Sequence, residues 1–343
     1  MEDDHAVSLD EFEQASRLDS LRRSNQRLRS ELKQTQDMVQ QLVGRLAVLE
    51  GIERLDPKPP RWLTPKRPKS TSATVVAMLS DCHFDEIVRA PDVAGVNEYN
   101  RTIATRRMKS WCEQLARLPE DGPTADVDGL VLMVAGDLTA GLIDALHLLD
   151  SDDTVLGSLL YWSEQIAAAV TLLADTYGKV HVPVVIGNHG RQTAKKRQHL
   201  AAADNTDHYV GQLVRKFLSE DKRVTFQVDE ATDAEFMVYG HRHVVTHGDQ
   251  FRGGSGIGGI IPPISRGYHR KAQRQAQLGR PIDHLWMGHF HQVVFGPGWT
   301  VNGSLKGADG YSMANNWPIE APQQVAAYVT PAGIEWRTTI VAQ

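Results

Sequence analysis

Three apolar runs with the composition of buried strands, "TVVAMLSD", "LVLMVAGD" and "VPVVIGNH", each break into a short turn that holds an acid, an amide or a histidine. Between and after them lie stretches with a helical period, at 155–177 and 206–219, and this alternation confines the chain to an α/β architecture. Later runs, "EFMVYG", "HVVTHGD", "HLWMGHFH", "QVVFGPG", "TVNGS" and "QVAAYVT", read as a second and more antiparallel set of strands. The result is an α/β sandwich. In such folds, loops at one edge of a rigid sheet deliver the functional side chains.

The strand ends therefore carry the argument. After the first run come Asp81 and His83, which a continued strand would project from one face, with Cys82 turned away. A carboxylate and an imidazole side by side suit a divalent metal. After the second run stands Asp137, after the third Asn188 and His189, after Val244 and Val245 stands His247, and after Leu285–Met287 stand His289 and His291. Any one of these alone reads as an ordinary turn or core residue. Five in order do not. The remaining histidines, His147, His181, His199, His208, His241, His243 and His284, read as surface or structural residues.

The chain has 343 residues, 41% of them hydrophobic, enough for one large catalytic domain and an appendage. Its only cysteines are Cys82 and Cys112, so a disulfide framework and a cysteine zinc cluster are excluded and any metal must be held by His, Asp and Asn. No unbroken apolar run approaches a membrane span, and "MEDDHAVSLDEFEQ" is unlike a secretory signal. The expectation is a cytoplasmic protein with no membrane partner.

The N-terminal part is of another kind. Leu18, Asn25, Leu32, Val39 and Leu46 fall at one seam position of a heptad, and Leu21, Leu28, Thr35, Leu42 and Leu49 at the other. This predicts a coiled coil over 1–50. Asn25 at a seam position favours two parallel strands, hence a homodimer; the alternative is one amphipathic helix folded back on the globular domain. A proline-rich basic linker follows over 51–72, with Lys58, Arg61, Lys66, Arg67 and Lys69, and Trp62 as its anchor, and the catalytic domain occupies 73–343.

The series Asp81-x-His83, Gly136-Asp137, Gly187-Asn188-His189, His247 and Gly288-His289-x-His291 resembles the calcineurin-like metallophosphoesterase superfamily over roughly residues 73–305. The resemblance implies a four-layer double β-sandwich flanked by helices and a two-metal site. It implies Asp81, His83 and His291 on one metal, Asn188, His247 and His289 on the other, and Asp137 bridging both. His189 would stand beside the metals as the catalytic residue. Nitrogen and oxygen ligands without thiolate fit Mn²⁺ first, with Zn²⁺, Fe or Ni²⁺ as alternatives, and the imidazole count disfavours Mg²⁺ and Ca²⁺. Such a pair would hold a bridging hydroxide for in-line attack on phosphorus, and a protonated His189 would assist the leaving group.

Two departures sharpen the reading. Gly190 stands where the family carries an acid after this histidine, so support for His189 must come from elsewhere, with Asp249 and Asp144 as candidates. "GDLTAG" lacks the aspartate-arginine signature of phosphoprotein phosphatases, and with "GHFH" the chain looks more like the phosphodiesterase and DNA-repair nuclease branches. A net charge of −5 hides local basic clusters: Arg191 and Lys195 follow His189, and Arg266 and Arg270 lie between His247 and His289. Bordering a cleft, these four would track a sugar-phosphate backbone. The segment "RGGSGIGGIIPPISRG" lacks the Lys-Ser/Thr of a P-loop and reads as a mobile loop beside the metals, Trp286 and Phe290 read as core, and "VNGSLKG" is assigned no role. The expected activity is hydrolysis of phosphodiesters in nucleic acid. Alternatives are a small or cyclic nucleotide phosphodiesterase, or a coiled-coil adaptor with an inactive metal-binding domain. A weaker resemblance to bacteriophage-encoded phosphoesterases would place the protein in a host cytoplasm.

Overall fold

The computed structural model describes residues 17–18, 21–40, 72–122, 126–139, 151–193, 195–197, 199–253 and 258–343. The chain forms two compact units, Met1–Lys58 and Pro59–Gln343. In the first, residues 17–18 and 21–40 are helical (α1), and the seam residues Leu18, Leu21, Leu28, Leu32 and Val39 are each more than half exposed. The remaining seam positions Leu42, Leu46 and Leu49, and the linker up to residue 71 with Trp62, lie outside the described residues.

The second unit is built on two sheets. The first has six strands in the order β11 (Gly333–Val341), β10 (Gln323–Thr330), β1 (Ala73–Leu79), β2 (Val127–Val134), β3 (Val180–Val184) and β4 (Val224–Val228). From β1 to β4 the pairing is parallel, whereas β10 runs antiparallel to β1, and β11 to β10. The second sheet has the order β5 (Asp233–Val238), β6 (His241–Thr246), β7 (His284–Met287), β9 (Trp299–Val301) and β8 (Val294–Gly296).

Side-chain alternation on the strands makes the layers. Val75, Ala77, Leu79, Leu130, Leu132 and Val134 point to one face, where helices α2 (Arg101–Asp121), α3 (Val155–Tyr177) and α4 (Thr206–Phe217) cover them. Val76, Met78, Val131 and Met133 point the other way, onto Phe236, Val245 and Trp286 of the second sheet. That sheet's outer face, with Val244, Leu285 and Met287, meets Ile264 of α5 (Ile261–Gln277). Helices, sheet, sheet and helix give a four-layer α/β sandwich.

Two expectations need correcting. "QVAAYVT" is β10 of the first sheet, because both its faces are apolar and need covering: Ala326 and Tyr328 on the helix side, Val325, Ala327 and Val329 between the sheets. The second sheet is mixed, since β7 is parallel to both β6 and β9. Parallel β6 and β7 require a crossover, and α5 supplies it. Its first turns were hidden in the glycine-rich segment, yet Pro262 and Pro263 sit in the opening turn, where proline's missing N–H is no loss. By length and composition alone α3 would also pass for a membrane span, although it is no unbroken apolar run. Its Trp162, Ile166, Val170 and Leu173 pack into the core under the first sheet.

Candidate metal centre

The turns after β1, β2, β3, β6 and β7 meet at one edge of the sandwich, and hydrogen bonds between them fix the meeting. Asp81 N–H donates to Gly136 O (3.1 Å) and His83 N–H to Asp137 O (3.1 Å), so the first turn is laced to the second. His189 N–H donates to Asp137 Oδ1 (2.7 Å), and His289 N–H to Asp81 Oδ1 (2.8 Å). Gly288 allows the last approach, because a Cβ there would lie 2.2 Å from Asp81 Oδ2. Ser304 Oγ donates to the Asp81 carbonyl (2.6 Å), which gives "VNGSLKG" a place as a brace under the first turn.

Asp81 and His83 do not share a strand face. The strand ends at Leu79, and both residues are in left-handed backbone, φ 53° and 45°. Asp137 (52°), His289 (70°) and His291 (54°) are the same. A non-glycine residue rarely adopts this conformation, and such strain persists only where surrounding contacts impose it, most often at functional sites. The tight reversal is what turns consecutive polar side chains inward from different strands.

The side chains form three overlapping clusters: Asp81, His83 and His291; His83, Asp137 and His189; and Asp137, His247 and His289. Within each, one donor atom per residue lies within 4.8 Å of the others. His83 Nε2 and His291 Nε2 face each other at 3.1 Å, with Asp81 Oδ1 3.5 Å from the latter. Asn188 Oδ1 is 3.2 Å from His247 Nε2, and Asp137 Oδ2 is 2.9 Å from the same nitrogen. The structure thus brings together all eight residues of the motif series.

The chemistry of this donor set fits cations. His247 Nδ1 is 2.9 Å from the Ala135 carbonyl oxygen, so in the neutral ring that nitrogen carries the proton and donates it. Nε2 then faces two oxygens, and the positive charge this arrangement needs is met by a proton on Nε2 in the metal-free chain or by a cation bound in its place. Burial alone would lower the His247 pKa, but the Asp137 carboxylate outweighs it and lifts it to about 10. Asp137, pushed up by burial, is held well below the carboxylate range by His247 and His189. Burial and the charge on His247 push His289 down to about 4, leaving it a neutral donor. Asp81, His83 and His291 would hold one divalent ion and Asn188, His247 and His289 another, with Asp137 between them.

Three supporting residues carry no sequence motif. Asp207, in the first turn of α4, is fully buried and accepts N–H bonds from Asp137 (3.0 Å), Leu138 (3.0 Å) and Gly187 (2.8 Å), tying the second and third turns to the helix. Its signal was "NTD" before an amphipathic helix, since Asn205 is the N-cap. Glu86 Oε2 lies 3.4 Å from His83 Nδ1, the nitrogen turned away from the cluster. Lys306, buried and charged, donates to Glu86 Oε1 (2.9 Å) and to Asp309. An acid behind a ligating imidazole fixes the ring and raises its basicity.

Gly190 is closed to any side chain, because a Cβ there would lie 2.3 Å from Asn205 Oδ1 and 2.8 Å from Thr206 Oγ1. The family's acid has no room beside this helix cap. His189 instead stands edge-on to His83, ring centroids 4.5 Å apart, and its charged form faces Asp137. Of the two proposed supports, Asp249 is paired with Lys196 Nζ and Asp144 lies outside the described residues. Arg191 turns back on its own loop, to the Thr193 carbonyl (3.0 Å), and Lys195 is exposed. Arg266 and Arg270 stand on α5, lining a separate cleft. Trp286 and Phe290 are buried, as core residues.

No family model matches the sequence, and no curated protein matches it. Among solved structures, the chain is similar to a Streptococcus pneumoniae protein described as a predicted phosphoesterase, at 10% identity over 78% of this chain and 98% of that one, TM-score 0.30. It is similar to a dimetal phosphatase from Danio rerio, at 10% identity over 79% and 99%, TM-score 0.33. Vps29 of Chaetomium thermophilum matches at 8% identity over 79% and 98%, TM-score 0.29.

Proposed function

We propose that this chain is a two-metal phosphoesterase that hydrolyses phosphodiester bonds in nucleic acid, with Mn²⁺ as its metal. The observation that supports it most is the overlap of three carboxylate–histidine clusters through His83 and Asp137. When bound, two divalent ions supply an activated water and the positive charge that phosphoryl oxygens need. The rest falls to the chain. Asp137, whose Oδ2 faces His247 and whose Oδ1 accepts the His189 N–H, would be the ligand shared by both ions, and Asp207 fixes its backbone. His189 is half-buried at the mouth, between His83 and Asp137, where an imidazolium can hold a phosphoryl oxygen and pass its proton to the departing alkoxide. Glu86 and Lys306 hold His83 in orientation from behind.

The exposed heptad seam of α1 supports a homodimer through the N-terminal coiled coil. Cys82 and Cys112 are free and buried, in keeping with work in the cytoplasm.

The test is hydrolysis of bis-p-nitrophenyl phosphate and of single-stranded and duplex DNA with Mn²⁺, comparing the wild type with Asp137→Ala and His189→Ala. Cleavage by the wild type, none by Asp137→Ala and a crippled His189→Ala is the expected result. Cleavage of the small diester without DNA would transfer the reading to a small nucleotide. No metal-dependent hydrolysis of any of them would overturn it.

A further inference from the structure

A second feature of the globular unit lies outside the hydrolytic chemistry: an open cleft of about 610 Å³ between α5 and the segment that follows His247. Six cations line it, Lys196, Arg252, Arg266, Arg270, Lys271 and Arg274, against one carboxylate, Asp233. Lys271 (2.5 Å) and Arg274 (3.1 Å) bond that carboxylate, and Lys196 pairs with Asp249. Arg252, Arg266 and Arg270 are exposed and make no ion pair with any described residue. Arg266 and Arg270 on α5 and Arg252 on the facing segment leave three uncompensated guanidinium groups around one cleft, which raise each other's energy and attract a polyanion.

Their spacing says what kind. Arg266 and Arg270 stand four residues apart on α5, on one helix face and about 6 Å apart along the axis, with Arg274, held by Asp233, next in line. That is a row, suited to successive charges on an extended ligand rather than to one compact group. The cleft is linked to the metal centre through Lys196 and through the segment that follows His247. His247 is followed by Asp249, whose partner Lys196 lines this cleft and also the small pocket beside Asn188. Gln250, Phe251 and Arg252 then form the cleft wall itself. The lining offers no exposed aromatic platform, because Phe251 is buried. Contacts are therefore to backbone phosphates, which position a strand without reading its sequence.

We propose that the α5 cleft holds the sugar-phosphate backbone of a polynucleotide strand whose scissile phosphate lies at the metal centre, through Arg252, Arg266 and Arg270. The inference rests on the phosphodiesterase reading and deepens it, since a mononucleotide seated at the metals would leave these arginines without a ligand. Full-length protein with Mn²⁺ is titrated with a labelled phosphorothioate single-stranded oligonucleotide, which resists hydrolysis, over a range of salt. The triple variant Arg252→Gln, Arg266→Gln, Arg270→Gln is compared with the wild type, and both are assayed on bis-p-nitrophenyl phosphate.

The expected result is that log K against log salt loses about 0.7 of its slope per arginine, roughly 2 in all. Hydrolysis of the small diester stays within about twofold, because it reaches only the metals. An unchanged salt slope, or a wild type that does not bind the oligonucleotide, overturns the inference and leaves the phosphodiesterase reading intact. So does a parallel loss on the small diester, which would make the arginines part of the metal centre. Salt-dependent, arginine-dependent binding by a wild type that hydrolyses no diester overturns the catalytic reading instead, with the strand-holding role of the cleft upheld.

Discussion

The parallel strands β6 and β7 carry histidines at both ends, and the two ends treat them differently. At the start of the strands, His243 and His284 are register partners in the sheet. Beyond the other end stand His247, His289 and His291. Both groups are largely buried. His243 Nδ1 accepts from Trp286 Nε1 (3.1 Å) and the ring stacks on Phe236, while His284 Nε2 meets Thr300 Oγ1 (2.9 Å). Burial pushes these two down to about 3 and about 2, so they are neutral packing groups. His247 feels the same burial and is lifted to about 10 because Asp137 faces it. What separates the two ends is the pair of carboxylates Asp81 and Asp137, which face the rings of His247, His289 and His291 from neighbouring turns, whereas among the described residues none faces the ring of His243 or His284.

The largest effect that breaks this contrast is removal of the shared acid. Asp137→Ala is expected to lower metal-dependent hydrolysis by about a thousandfold or more, some 4 kcal/mol of transition-state stabilisation, and to reduce the metal content per chain. A variant that keeps both metals and most of its rate would show that the clusters do not act through Asp137.

Next comes an exchange of fates between the two ends. His243→Ala leaves a cavity among aromatics and an unbonded Trp286 N–H, and should cost about 2–4 kcal/mol in denaturant unfolding while the folded enzyme keeps its metals and rate. His83→Ala should do the reverse, with metal lost and unfolding of the metal-free protein little changed. Loss of metal from His243→Ala would erase the distinction drawn here.

A smaller effect tests the acid behind the ligand. Glu86→Gln keeps the shape of the side chain but removes the charge facing His83 Nδ1, and metal affinity measured by calorimetric titration should fall by about 10- to 100-fold. An unchanged affinity would reduce Glu86 to a counter-charge for Lys306.

The contrast also marks what could be read from the sequence. The strand ends were legible because apolar runs stopped at glycine and polar residues together, and the motif residues all arrive at one edge. The reason they arrive was not legible: Asp81 and His83 turn inward by left-handed backbone, and residue spacing carries no sign of φ. α5 was concealed because glycines and prolines outweigh propensity in a short window, although Pro262 and Pro263 opened a helix. Asp207 belongs to no motif because it holds the second and third turns from a distant part of the chain, while Glu86, only three residues after His83, faces it through a turn whose geometry residue spacing does not carry. His243 and His284 read as structural in the sequence, and their contacts with Trp286 and Thr300 supply the physical ground.

The mildest prediction is pH dependence from the neutral histidines. His243 and His284, with His181 pushed down to about 4 by burial, all have folded pKa values below the unfolded value near 6.5. Their stabilisation is therefore complete above about pH 6.5 and is lost as pH falls, because the unfolded chain takes up protons that the core refuses. The groups around them do not reverse the sign: His241 and Arg337 add positive charge, while Trp286 and Thr300 are neutral. Asp207 works the other way, since burial and the Asp137 charge raise it to about 6, so its contribution is lost as pH rises through that value. From pH 7 to 6 each histidine should remove about 0.7 kcal/mol. Metal-free His243→Ala, compared with metal-free wild type, should show a pH slope shallower by about that amount, with Asp207 common to both. An identical slope would mean that His243 is protonated in the folded core, and the start of these strands would then hold charge as their ends do.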